Sequence, residues 1–131
     1  MFNLDSLALN DTTELQLVHP VTEELLFADK EQTKPVAIVL FGTSSKQYRN
    51  AITAMQNRQL RRGKKAASAE LLREESVNLL VACSDKALNL TYKEAPLDNE
   101  NAFRALYSDP KFAWVKDQVD AALGDVSRFL D

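Results

Sequence analysis

Lys34-Pro35-Val36-Ala37-Ile38-Val39-Leu40-Phe41-Gly42-Thr43-Ser44-Ser45-Lys46 reads as a strand running into a helix. Proline can open a strand but cannot sit in its middle. Six consecutive apolar residues between Pro35 and Gly42, most of them β-branched or aromatic, fit a strand buried on both faces. Ser44 and Gln47 have capping-box spacing, so helix is expected from about Ser45. Tyr48, Ala51, Ile52, Met55 and Leu60 then recur at helical spacing, with Lys46, Arg49, Arg58, Arg61 and Arg62 mostly off that face, and Gly63 should end the helix.

The same stretch is set apart by charge. From Gln32 to Ala69 there is no acid, while Lys34, Lys46, Arg49, Arg58, Arg61, Arg62, Lys64 and Lys65 give eight positive charges. A chain of net charge −3 is thus +8 here and −11 elsewhere. Such segregation points to contact with an acidic surface, a second copy included.

With 131 residues the chain fits one domain, residues 1–131, and one of this size buries roughly two thirds of its unfolded surface. Hydrophobic content of 45% and charged content of 27% are those of an ordinary globular protein. The longest apolar run is six residues, against the roughly 20 that cross a bilayer. The opening Met1-Phe2-Asn3-Leu4-Asp5 lacks a basic region followed by an apolar one, so the cytoplasm is the expected compartment. A single cysteine, Cys83, permits no internal disulfide.

Outward from the central stretch, residues 2–9 suit a short strand or one helical turn, and Asn10-Asp11 a turn. Leu15, Leu17 and His19 alternate with Glu14, Gln16 and Val18, His19-Pro20-Val21-Thr22 makes a tight connection, and Leu25-Leu26-Phe27 begins a return strand. A hairpin with the Val36 strand as third member is the expected sheet. Downstream, a helix is expected over about 67–86 with Leu72, Leu79, Leu80 and Cys83 inward, then an extended Leu88–Tyr92 stopped by Pro96. Asp98 should cap a short helix, and Asp109-Pro110 a last one running to the chain end through Phe112, Val115, Val119, Leu123, Val126 and Phe129. The class is α+β, residues 1–42 mostly β and 44–131 mostly α, with a small N-terminal antiparallel sheet and about four helices.

Catalytic constellations are hard to assemble from this inventory. His19 is the only imidazole and no Gly-x-Ser-x-Gly elbow exists, so a polar turn is its simpler role. One Cys and one His do not make the usual zinc ligand sets. Gly42-Thr43-Ser44-Ser45-Lys46 lacks the Gly-Lys pair and upstream Gly of a phosphate loop, leaving helix capping as the job of its serines. Cys83 among leucines reads as core. No enzyme and no cofactor is expected. Trp114 lies off the main stripe of its helix and is either core or an anchor for a partner. Nucleic-acid binding domains are usually basic overall, with pI above about 9, whereas this chain has pI ≈ 5.2.

Val18-His19-Pro20-Val21-Thr22-Glu23-Glu24, the apolar strand to Phe41-Gly42, Ser45-x-x-Tyr48-Arg49-x-Ala51 and Asn57-Arg58 together resemble the N-terminal half of the tail assembly chaperones of long-tailed bacteriophages. The resemblance spans residues 15–62 and rests on the order and spacing of short motifs. In that family the His-Pro-x-Thr turn is commonly followed by Gly-Glu; here Glu23 occupies the Gly position. The resemblance implies a non-catalytic protein of the infected host cytoplasm, absent from the finished virion. It would bind the tape measure protein, keep it soluble, help tail tube protein assemble around it through a longer frameshifted form, and associate with itself; this chain would be the shorter form. Residues expected to make protein contacts are Arg49, Arg58, Arg61 and Arg62, with Tyr48 and Trp114 as aromatic anchors. The alternatives are a structural virion component such as a small tail or head–tail connector subunit, and a nucleic-acid-binding regulatory module using the basic helix.

Overall fold

A computed structural model describes residues 1–63 and 68–130. Strands β1 (Thr12–Gln16) and β2 (Ala37–Phe41) lead into helix α1 (Lys46–Arg62) and helix α2 (Ala69–Cys83). Strand β3 (Ser84–Leu88), the short pair β4 (Thr91–Tyr92) and β5 (Ala95–Pro96), and helices α3 (Glu100–Ser108) and α4 (Ala113–Leu123) follow. Single 3-10 turns occupy Leu4–Leu7, Pro110–Phe112 and Val126–Phe129.

The architecture is α+β: a three-stranded antiparallel sheet in the order β1-β2-β3, a two-stranded hairpin, and four helices among the described residues. Strand β2 is central, with Ile38 opposite Leu15 on one side and Ala87 on the other. Ala37, Ile38 and Leu40 are fully buried, as a continuous apolar run requires. A strand with two buried faces also has two edges to satisfy, and β3 supplies the second. The sheet is therefore not purely N-terminal, and the division into a β half and an α half is corrected by β3, β4 and β5. The helix expected to continue to Lys86 stops at Cys83, where the Ser84 hydroxyl donates to the Leu80 carbonyl at 2.7 Å.

The expected hairpin is also redrawn. Leu25 and Phe27 make only single bridges, to Val18 and Pro35, and the ladder partner of β1 is β2. Residues 25–27 instead fold over the open end of that pair. The Leu17 amide donates to Val36, the Leu26 amide to Leu17, and the Val36 amide to Leu26, at 2.9–3.0 Å. Two left-handed residues, Glu23 at φ 61° and Gln32 at φ 59°, turn the chain there.

The core joins Leu15, Leu17, Ile38 and Leu40 of the sheet region to Leu80 and Val81 of α2, Phe103 and Leu106 of α3, and Val119 and Leu123 of α4. Gln118 of α4 acts as a surrogate strand: its side-chain amide accepts from the Val18 N–H at 3.0 Å and donates to the Val18 carbonyl at 2.9 Å. The last helix is shorter than expected. It ends at Leu123, and Asp125 then caps the separate turn that carries Phe129 back into the core. The start of α2 was expected at Ala67, which lies outside the described residues.

Candidate protein-binding surface

Helix α1 begins where β2 ends, and its start is set by one hydroxyl. Ser45 accepts from the Tyr48 amide at 3.1 Å and donates to the Gly42 carbonyl at 2.6 Å. The cap is thus Ser45, one residue later than expected. Ser44 is exposed, whereas Ser45 is buried and so placed that its oxygen reaches the first-turn amide. Gly42 permits this junction because a Cβ there would stand 2.5 Å from the Phe129 ring. Gly63 closes the helix at φ 64°.

No residue of α1 is fully buried. Its inner stripe is half-buried and consists of Tyr48, Ala51, Ile52, Met55, Arg58 and Arg62. Two arginines therefore share the stripe with the apolar residues, and Leu60, expected inside, is exposed. Residues three and four apart on a helix share a face, so Arg58 and Arg62 continue the line from Met55, while Leu60 falls outside it.

Arg58, expected mostly off the apolar face, lies on the half-buried stripe. It makes a two-pronged bond to Glu75 of α2, Nε to Oε1 at 2.9 Å and Nη2 to Oε2 at 2.8 Å. Glu75 is 7% exposed. A buried carboxylate needs such a partner, and the guanidinium fork fits it. The bond from Arg58 holds the Glu75 carboxyl below its ordinary value and raises Arg58; Arg62 adds a smaller attraction to Glu75. The signal for Glu75 was its place in the line Leu72-Glu75-Leu79, three and four residues from leucines expected inward, although Leu72 itself is exposed and only Leu79 is half-buried.

Arg49 and Arg61 are exposed, with Lys46 beside the first turn. Lys64 and Lys65 lie outside the described residues. Tyr48 is half-buried and packs on the core, which leaves part of its ring at the surface. Trp114 is also half-buried against the core. It belongs to α4, which packs on α3, whereas α1 packs on α2. The arginines and Tyr48 thus share one helix, and Trp114 is not brought to it by helix packing.

Three grooves border these helices. One of about 380 Å³ lies between the C-terminal half of α1 and α2, lined by Met55, Gln59, Arg62, Gly63, Leu72, Glu75, Ser76 and Leu79. A second of about 300 Å³ lies further along the same seam, where Ala51, Arg58, Asn78 and Ala82 meet. The largest, about 760 Å³, runs between α2, α3 and the start of α4. Two of its cations are engaged: Lys116 bonds Ser76 at 3.0 Å and Asp120 at 3.3 Å, and Arg104 bonds Asn78. At its edge, the Tyr92 hydroxyl donates to Asp109 at 2.6 Å, which draws the Asp109 carboxyl down and pushes the phenol up.

His19 lines none of these grooves. Its Nδ1 accepts from the Val21 and Thr22 amides at 3.1 and 3.2 Å, so it organises the turn. Cys83 is buried, and desolvation pushes its thiol up to about 11, far from the thiolate a nucleophile needs. Among the described residues no three His, Cys, Asp or Glu are grouped to hold a metal, and no helix is long and apolar enough to cross a membrane. No family model, no curated protein and no solved structure matches the chain.

Proposed function

We propose that this protein is a tail assembly chaperone of a long-tailed bacteriophage: it binds the tape measure protein in the host cytoplasm, keeps it soluble until tube protein assembles around it, and associates with itself. Binding is its whole mechanism, with no bond made or broken. The observation that carries the reading is α1. An acid-free helix displays Arg49 and Arg61 to solvent, and none of its residues is committed wholly to the core.

An amphipathic client helix docks through apolar anchors at helical spacing, with charges at the rim fixing orientation. The half-exposed Tyr48 ring and the arginines offer both kinds of contact. A further support comes from the turn after His19. Glu23 takes φ 61°, a backbone conformation that favours glycine, at the position where the chaperone family commonly has Gly.

The test is capture of a synthetic amphipathic helix from a tape measure protein. Arg49→Glu with Arg61→Glu should weaken capture about tenfold or more, corresponding to about 1.4 kcal/mol, while circular dichroism stays unchanged. Capture equal to wild type overturns the role given to α1. Recovery of the chain from purified particles would instead favour a structural virion subunit.

A further inference from the structure

The least economical feature of the fold is its first eight residues. Every residue from Met1 to Ala8 is exposed, Phe2 at 71%, Leu4 at 77% and Leu7 at 55%. Yet the segment has local order. Asn3 accepts from the Asp5 amide at 3.0 Å, the Ser6 hydroxyl donates to the Asn3 carbonyl at 2.9 Å, and Leu4–Leu7 form a 3-10 turn. A pre-formed turn that holds apolar side chains in water loses less entropy on docking than a flexible tail would.

The groove at the C-terminal end of α1 has the complementary character. Its lining includes the half-buried Met55 and Leu79, the 58% exposed Leu72 and Arg62. Glu75 in the same groove is already bound by Arg58. Charge fits at one point: Asp5 is the one acid of residues 1–8 and they hold no Lys or Arg, while Arg62 lines the groove and Arg58 already neutralises Glu75.

We infer that residues 1–8 of one copy seat in the α1–α2 groove of a second copy, with Leu4 and Leu7 against Met55, Leu72 and Leu79 and Asp5 toward Arg62. The chain's own arm does not do this. The arm is rooted beside the first turn of α1, where the Gly42 amide donates to the Asp11 carbonyl at 2.8 Å. In its own subunit the arm instead lies in water, every residue from Met1 to Ala8 being exposed. Arm and groove are different patches, so the contact is head-to-tail and propagates into rings or open arrays. These eight residues by themselves make less than a standard interface, so the contact is a weak one.

This deepens the self-association in the reading above and is independent of the client. The experiment is sedimentation and light scattering of the full chain up to about 1 mM, a concentration that detects contacts of that strength. The wild-type mass should rise with concentration, whereas Leu4→Asp with Leu7→Asp, and separately Leu72→Asp, should weaken assembly at least about tenfold. All three positions are exposed, and circular dichroism checks that the fold is kept. The arm variant retains its groove and the groove variant its arm, so mixing the two should give one-to-one dimers that grow no further. A monomeric wild type, or variants that assemble as wild type does, overturns the arm contact. Client capture by the arm variant reads the other proposal separately, since Arg49 and Arg61 are untouched.

Discussion

At Glu75 a buried carboxylate and a half-exposed guanidinium face each other across the α1–α2 seam. Because the Arg58 bond lowers the folded-state value of Glu75 below 4.5, the contribution of the pair is fully present above that pH. It is lost as pH falls through the folded value. Glu75→Gln should therefore destabilise the protein at pH 7 by about 1–3 kcal/mol, the cost of leaving buried polar groups imperfectly paired. In urea unfolding the gap between wild type and variant should shrink steadily below about pH 4.5; a gap that stays constant would contradict this account of the pair. Glu23 makes the opposite case. A non-glycine residue at φ 61° bears a steric cost of roughly 1–2 kcal/mol, part of which a more flexible unfolded chain cancels. Glu23→Gly should raise the unfolding free energy by about 0.5–1 kcal/mol, measured by the same urea titration.

Among the elements, β2 and α1 were legible because their signals are local. A proline, six apolar residues, a glycine and a serine-rich cap fix a strand, a junction and a helix without help from elsewhere. Strand β3 was not legible. Ser84-Asp85-Lys86-Ala87-Leu88 has none of the β-branched or aromatic residues that mark strands, and it continues a helical pattern. It is a strand because β2 has a free edge beside it, a tertiary demand that periodicity does not record. The pairing of Arg58 was not legible for the related reason that its partner, Glu75, lies on another helix. The candidate surface was half legible: charge segregation located α1, and only packing separated the inward Arg58 from the outward Arg49 and Arg61. The junction itself gives a sharp test. With the Phe129 ring 2.5 Å from any Cβ at Gly42, Gly42→Ala should cost about 1–3 kcal/mol through overpacking. Phe129→Leu in the same chain should recover part of that loss, and thermal melts of the single and double variants will show whether it does.

For the whole molecule, charge is divided between an acidic body and a basic helix, and exposed apolar residues are found both on the arm and beside the α1–α2 groove. The proposed contact between copies would bring both pairs together. The sheet order carries a different consequence, for synthesis rather than assembly. Strand β2 can pair with β1 as soon as both have left the ribosome, but its other edge stays bare until Ser84 has been made, more than forty residues after Phe41. Through that interval the run Val36–Phe41 has the makings of a seed for aggregation, being apolar, uncharged and unpaired on one side. The flanking cations at Lys34, Lys46 and Arg49 are then its gatekeepers, deterring two nascent chains from zipping together before either is finished.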